Sequence, residues 1–320
     1  RKKLRKHSSL QVWYGVAVAV VILLSVGGML LWNSGEIEEK PVQVAKKVTI
    51  QPGKSQAILV LSSGEEVAMG NVSRQLEEKD GTSVVVSETG RISYQSAEGK
   101  GGITKDTARV MNRLVIPRGG EFNLTLSDGT HVWLNAETEL RYPVQFNGKE
   151  RVVYLKGEAY FDVKRDTSKP FIVEANSLEV RVLGTEFGVR AYQDETCIRT
   201  TLKKGKVSVE NKGSGIVLTP GMQASFDKET SKMDVQEVNV NLFLAWKDGR
   251  LVFDNCSLEN ILKDLGKWYD FDVRYEREDA RLIPFSLNIK KHDAFAEVLH
   301  LLEDTGCVEF DIEDNIVIVK

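Results

Sequence analysis

The sequence predicts a chain in three parts: a single transmembrane helix, an all-β region built as a solenoid or a sandwich, and a small α+β module. Three patterns carry this prediction. Residues 12–32 run for 21 positions without a charge. From about Val42 to Asp234, short alternating runs recur between turn residues. Beyond Asn239, apolar residues fall at helical spacing. The boundaries that follow are a basic segment at 1–11, the span at 12–32, a linker and N-terminal β region at 33–110, a main β domain at 111–238 and the α+β module at 239–320.

At 1.5 Å per residue, a helix over Val12–Trp32 is about 31 Å long, the thickness of a hydrocarbon core. Eleven of its residues are Val, Ile or Leu, each favouring insertion by roughly 0.3–0.6 kcal/mol. Trp13 and Tyr14 stand at one end and Trp32 at the other, where aromatic rings prefer the interface. Arg1, Lys2, Lys3, Arg5 and Lys6 precede the span, and Glu36, Glu38 and Glu39 follow it. The positive-inside rule therefore puts the N-terminus in the cytoplasm and everything after Asn33 across the membrane. The alternative is a cleaved signal peptide with Ser25-Val26-Gly27 as its small-residue site, for which the uninterrupted run is long. The chain starts at Arg1 rather than Met, and the expectation is that more protein precedes it.

With 42% hydrophobic and 28% charged residues, the rest suits packed globular structure. Beyond the basic start, 38 of the 43 Lys and Arg face all 46 acids, a balance unsuited to tracking a phosphate backbone, so nucleic-acid binding is excluded. Cys197, Cys256 and Cys307 contain no C-x-x-C pair, which excludes a disulfide scaffold and a cysteine zinc site. Two readings of them stay open: Cys256 paired with Cys307 in an oxidising compartment, or three buried free thiols. His7, His131, His292 and His300 are dispersed, no metal site or cofactor is expected, and no Ser/His/Asp or paired-carboxylate arrangement stands out.

In the β region the alternating runs are Glu121–Leu126, Arg151–Leu155, Ala159–Val163, Phe171–Val173, Leu178–Leu183 and Lys206–Glu210, with turn chemistry at Glu88-Thr89-Gly90 and Ser127-Asp128-Gly129. Glu158 and Asp162 alternate with Ala159 and Phe161, the pattern of a half-solvated strand. A weak repeat runs through the region. Ile50-Gln-Pro-Gly53 leads into Leu59-Val-Leu-Ser-Ser-Gly64 as Ile116-Pro-Arg-Gly119 leads into Leu124-Thr-Leu-Ser-Asp-Gly129. Residues 74–81 and 96–102 read as solvated loops, the second without the spacing of a phosphate loop.

In the last part, Trp246–Phe253 reads as a strand and Asp254–Ser257 as the start of a helix. Along that helix Leu258, Ile261, Leu262, Leu265 and Trp268 share one face. Phe271–Tyr275 and Ile283–Ile289 are further strands. Asp293 is placed to cap a second helix carrying Phe295, Val298, Leu299 and Leu302, which ends before Gly306. Val308–Ile312 and Ile316–Val319 close the module as a hairpin.

An ordered set of short motifs then points to a family: Asn112-Arg-Leu-Val-Ile-Pro-Arg-Gly-Gly-Glu121, Leu126-Ser-Asp-Gly-Thr130, Val132-Trp-Leu-Asn135, Leu140-Arg-Tyr-Pro143, Leu155-Lys-Gly-Glu-Ala-Tyr-Phe-Asp-Val163, Lys169-Pro-Phe-Ile-Val173 and Val182-Leu-Gly-Thr-Glu-Phe187. Each alone is a generic β-turn; together they resemble the FecR family of membrane-bound sigma-factor regulators in its Bacteroidetes form. The last module is similar to the secretin and TonB N-terminal fold that follows FecR domains. The resemblance implies an inner-membrane, single-pass anti-sigma factor with a cytoplasmic N-terminus and periplasmic C-terminal domains. It further implies docking to the signalling domain of an outer-membrane TonB-dependent transporter, and action on an extracytoplasmic-function (ECF) sigma factor through a segment preceding Arg1.

The resemblance also singles out Gly184-Thr185, since some family members cleave themselves at the corresponding bond by an N-to-O acyl shift. The competing reading is a strand turn in which Thr185 Oγ1 bonds locally. For the partner surface, the candidate is the strand edge Phe285, Ser286, Leu287, Asn288 and Ile289, flanked by Lys290 and Lys291, with a solvated loop as the alternative. The chain thus reads as a signal-transducing protein and not an enzyme. The alternative function is a membrane-anchored periplasmic carbohydrate-binding protein gripping sugar through Trp133, Trp246 and Trp268, against which stands core packing of the same rings.

Overall fold

The computed structural model describes residues 50–69, 74–78, 83–86, 92–95, 110–211 and 213–320. The expected span Val12–Trp32, the turn at Glu88–Gly90 and the loop 96–102 lie outside the described residues. Among the described residues no helix is long and apolar enough to cross a membrane. All of them belong to one unit, Val48–Lys320.

β-branched and aromatic residues alternating with polar ones set the strands. β1 (Lys54–Ser55), β2 (Ala57–Val60) and β3 (Glu66–Met69) come first, and β4 (Arg74–Glu77), β5 (Ser83–Val86) and β6 (Ile92–Gln95) make a small antiparallel sheet of their own. Next are β7 (Met111–Ile116), β8 (Gly120–Thr125), β9 (His131–Leu134), β10 (Thr138–Pro143), β11 (Arg151–Asp162), β12 (Phe171–Ala175), β13 (Leu178–Val182) and β14 (Glu186–Ala191). β15 (Cys197–Lys204), β16 (Val207–Asn211), β17 (Ser214–Leu218), β18 (Met222–Asp227) and β19 (Met233–Glu237) complete the β region.

These strands form two sheets that share β11. One runs β17-β16-β13-β12-β11-β10-β7-β2-β3; the other runs from β19 through β18, β15 and β14 to β11, then β9 and β8, with β1 parallel to β8. Arg151–Lys156 pairs with β12 and β10, and Gly157–Asp162 pairs with β14 and β9. The runs Arg151–Leu155 and Ala159–Val163, expected as two strands, are therefore one. Gly157, at φ +100°, lets the backbone pass from sheet to sheet, and a Cβ there would fall 2.5 Å from Thr138 Oγ1. A single core lies between the sheets, drawing Leu114, Leu140, Val153 and Phe171 from one and Phe122, Val132, Phe161, Phe187 and Phe226 from the other. The open choice between solenoid and sandwich resolves to two facing sheets with no closed barrel.

The repeat has a structural counterpart. Gly64 donates to Leu61 O and Gly129 to Leu126 O, each at 2.9 Å, while Leu61 and Leu126 donate to Glu65 O and Thr130 O at the same distance. Both glycines are left-handed, at φ +89° and +86°. The copies also meet, because β1 and β8 start directly after Gly53 and Gly119 and pair with Lys54 opposite Gly120.

The C-terminal module opens with α1 (Val240–Leu244) and a 3₁₀ turn at Ala245–Asp248. β20 (Arg250–Ser257), α2 (Leu258–Tyr269), β21 (Asp272–Tyr275), β22 (Pro284–Lys290), α3 (Phe295–Glu303), β23 (Phe310–Glu313) and β24 (Ile316–Val319) follow. This is the small α+β order expected, with three corrections. Trp246 lies in the 3₁₀ turn, which Gly249 closes at φ +75°, so the strand starts at Arg250. Asp254–Cys256 continue that strand through an irregularity between Phe253 and Cys256. Finally, Ala294 holds the N-cap position of α3, because the Asp293 carboxylate instead accepts from Lys290 N–H at 2.9 Å. The five apolar residues forecast along α2 are all buried. They build a second core that also takes in Ile50, Trp133 and Tyr160 from the β region.

Candidate functional site

The C-terminal module is held to the β region along a seam of buried charges. Lys291, fully buried, sits with Nζ 2.6 Å from Glu121 and 3.3 Å from Asn135 Oδ1, over the Trp268 ring at 3.8 Å. Burial pulls its pKa down, and the Glu121 charge opposes the fall. The sequence places Lys291 beside an exposed edge; the fold turns it inward because the residue after β22 meets Glu121 of β8 and Asn135 just after β9. Glu158 was expected on a half-solvated strand, yet it is 6% exposed, since the module covers that face. Its pKa is raised by burial, which Arg190 and a hydrogen bond from Asn135 only partly offset. Arg190 lies 3.4 Å from Glu158, 2.5 Å from Glu195 and 2.5 Å from Asp264 of α2. Burial works against its charge, but Asp264 and Glu158 outweigh it and raise its pKa well above the ordinary value.

Beside this cluster Arg118 grips the C-terminal end of α2. It donates to Gly266 O at 3.0 Å and to Phe271 O, pairs with Asp270 at 2.9 Å and lies 3.3 Å from Asp272. Carbonyls in the last turn of a helix lack partners within it, so a guanidinium there satisfies them and suits the helix dipole. Lys267 of the same turn reaches Glu137 at 3.3 Å and Asp194 at 3.6 Å. Arg118, Glu121 and Asn135 stand in the sequence only as members of short motifs, Glu158 and Lys291 read as solvent-facing, and Arg190, Asp264, Lys267 and Glu137 carry no local signal. The one available signal was Arg118, inside the repeated Ile116–Gly119 turn.

The candidate edge Phe285–Ile289 lies within β22. Phe285, Leu287 and Ile289 turn into the core, and Ser286 and Asn288 face out. β22 pairs only with β20 among the described residues, so its other edge has no strand partner. Arg250 donates to Asn288 Oδ1 at 2.6 Å, and Ser286 Oγ accepts from Asn255 N–H at 3.0 Å, so both outward side chains brace β20.

Gly184 and Thr185 join β13 to β14. A Cβ on Gly184 would fall 2.7 Å from Arg165 Cα, which accounts for the glycine. Buried Thr185 donates its hydroxyl to Lys206 O at 3.0 Å. The tryptophans are packed: Trp246 and Trp268 are buried, and Trp133 meets Tyr160 edge-on at 5.5 Å. The three thiols are free. Cys197 and Cys256 are half-buried and Cys307 is exposed, so the expectation of three buried thiols fails where the chain turns out to solvent after α3. No cluster able to hold a metal ion occurs among the described residues.

The FecR protein family matches residues 112–235, and the FecR C-terminal family matches residues 250–319. The chain belongs to the FecR family. Two crystal structures of a candidate anti-sigma factor from Parabacteroides distasonis ATCC 8503 are similar to it. They share 27% and 28% identity over 65% and 66% of this chain and 98% of their own, each with a TM-score of 0.61. No curated protein matches the chain. The seam is thus the contact between the FecR domain, which supplies Arg118, Glu121, Asn135, Glu158 and Arg190, and the FecR C-terminal domain, which supplies Asp264, Lys267 and Lys291.

Proposed function

We propose that this FecR-family chain is an inner-membrane regulator of an ECF sigma factor. Val12–Trp32 anchors it with the N-terminus cytoplasmic, and residues 33–320 lie in the periplasm. There the FecR C-terminal domain receives the signalling domain of an outer-membrane TonB-dependent transporter, and the sigma factor is reached through protein on the cytoplasmic side. The pairing of a FecR domain with its C-terminal partner, behind an uncharged 21-residue run, carries this reading. The likeness to a candidate anti-sigma factor supports it. Among the described residues the second edge of β22 has no strand partner, and such an edge can accept a strand from another chain. The work is relay rather than catalysis.

The test is capture of the transporter signalling domain by the full chain in detergent, alongside sigma-dependent transcription in cells. Ser286→Lys with Asn288→Lys blunts the edge and should abolish capture and transcriptional response while leaving the circular dichroism unchanged. Undiminished capture would move the docking surface elsewhere, and absence of any response to deletion of the chain would remove the regulatory role. Gly184–Thr185 is in this reading a packed turn, so denaturing gels should show one intact chain; two fragments meeting at that bond would assign it a cut. The carbohydrate-binding alternative needs exposed tryptophans, and the packing of Trp133, Trp246 and Trp268 lends it no support.

A further inference from the structure

The segment Ile50–Gln56, which precedes both matched family regions, runs through the seam. Ile50 is buried in the core of the FecR C-terminal domain, although it stands at the opposite end of the described chain. Gly53 lies under Trp268 so closely that a Cβ would fall 2.6 Å from the ring. On its other side the segment holds the FecR domain by backbone bonds, from Lys54 N–H to Gly119 O at 2.9 Å and from Gln56 N–H to Glu121 O at 3.1 Å. Gln56 Nε2 adds a bond to Gly119 O at 3.1 Å. Gly119 completes the circuit, because its own N–H donates to Lys267 O in the last turn of α2 at 2.8 Å.

We infer that Ile50–Gln56 is a latch: it stays docked only while the FecR C-terminal domain sits on Gly119, so displacing that domain frees the chain that leads back toward residues 12–32. The physical ground is the division of its contacts. The segment's apolar anchors, Ile50 and the Gly53 backbone, rest on the C-terminal domain. What remains without that domain is a two-residue strand with exposed side chains at Lys54 and Ser55, and the Gln56 side-chain bonds to Arg118 O and Gly119 O. Such a strand, paired on one side, does not repay the entropy of ordering its chain. Openings of this kind involve contiguous cooperative units, and here the unit joins two distant pieces of sequence. The latch gives displacement of a C-terminal domain a mechanical output at the end that leads to Val12–Trp32, and its reach to a membrane rests on the anchor proposed above. It holds whether or not the partner is a transporter and the target a sigma factor.

Native-state amide exchange of the full chain in detergent, at rising urea below global unfolding, tests it. The Lys54 and Gln56 amides should merge with those of Leu262–Tyr269 into one opening with a common urea dependence, below the opening of β12 and β13. Exchange of Lys54 and Gln56 through an easier opening of their own, or only together with β12 and β13, would overturn the latch. Coupling must also be reciprocal. Gly53→Ala, which drives a methyl into Trp268, should speed exchange in α2 about tenfold, a factor typical of such coupling. Arg118→Ala, whose side chain touches the C-terminal domain and Glu137 but not the segment, should speed exchange at Lys54 and Gln56. Acceleration confined to the mutated side in both variants would sink the proposal, and it is decided separately from transporter capture.

Discussion

Between the two sheets of the FecR domain, Phe161 stacks on Phe187 at 5.3 Å and meets Phe171 at 6.0 Å, in a core of aliphatic and aromatic side chains. Between that domain and its C-terminal partner, Lys291, Glu121, Arg190, Glu158 and Asp264 meet at 2.5–3.4 Å, with Trp268 laid over the lysine. The first region gains its stability from area removed from water, which is non-directional and tolerates repacking. In the second, desolvation opposes the attraction, so each charge is tolerable only while its partner stays in place. A junction of that kind holds one geometry firmly and gives way when one partner moves. That property fits the relay proposed above, in which the contact opens when another protein docks.

Four variants separate a core held by packing from a seam held by charge. Phe161→Ala should cost about 3–5 kcal/mol in urea unfolding, since it empties a fully buried site between the sheets; a loss below 1 kcal/mol would mean the core relaxes as freely as the surface. Glu121→Gln should cost about 2–3 kcal/mol, below the range for fully enclosed pairs because Glu121 is a third exposed, by stranding the buried Lys291 charge. Restoring balance with Lys291→Met in the same chain should recover most of it, as a double-mutant cycle would read. If the double variant is as weak as the single, the seam is held by packing rather than by charge.

Glu158 gives the third test. Its native pKa is raised above the ordinary 4.5 by burial. Between those two values the folded chain keeps a proton the unfolded chain has released, so stability falls as pH rises through that window and levels off above it. Glu158→Gln should lack this slope, so its stability relative to the parent chain should rise with pH through that window in urea midpoints. Parallel pH profiles would show that Arg190 neutralises the cost of burial in full. The smallest effect belongs to Leu282→Ser. At 77% exposure, outside both regions, it should shift stability by no more than about 0.5 kcal/mol.

Period and punctuation made most elements legible. Leu258, Ile261, Leu262, Leu265 and Trp268 are buried together on α2, as their spacing required. The Leu61–Gly64 and Leu126–Gly129 turns carry the same bonds, as the repeat implied. Misreadings fell where a distant surface changed a residue's surroundings. Alternation put Glu158 toward solvent, and the C-terminal domain covered it. Lys290 and Lys291 looked alike beside a strand end, but one faces water and the other the FecR domain. Arg151–Leu155 and Ala159–Val163 read as two strands and are one, bent at Gly157.

Local pattern set most strands and both long helices, the apolar face of each, and the order of a β-rich domain before an α+β one, although Arg74–Glu77, which reads as a solvated loop, is β4. These follow from local periodicity and from residues whose backbone preferences act within a few positions. Tertiary structure alone decided that β11 serves two sheets, that Ile50 belongs to the core of the last domain, and that Arg118 and Lys291 bind the domains together. Those facts depend on surfaces brought together from opposite ends of the chain. No pattern within a short window records which charge will lose its water to which partner.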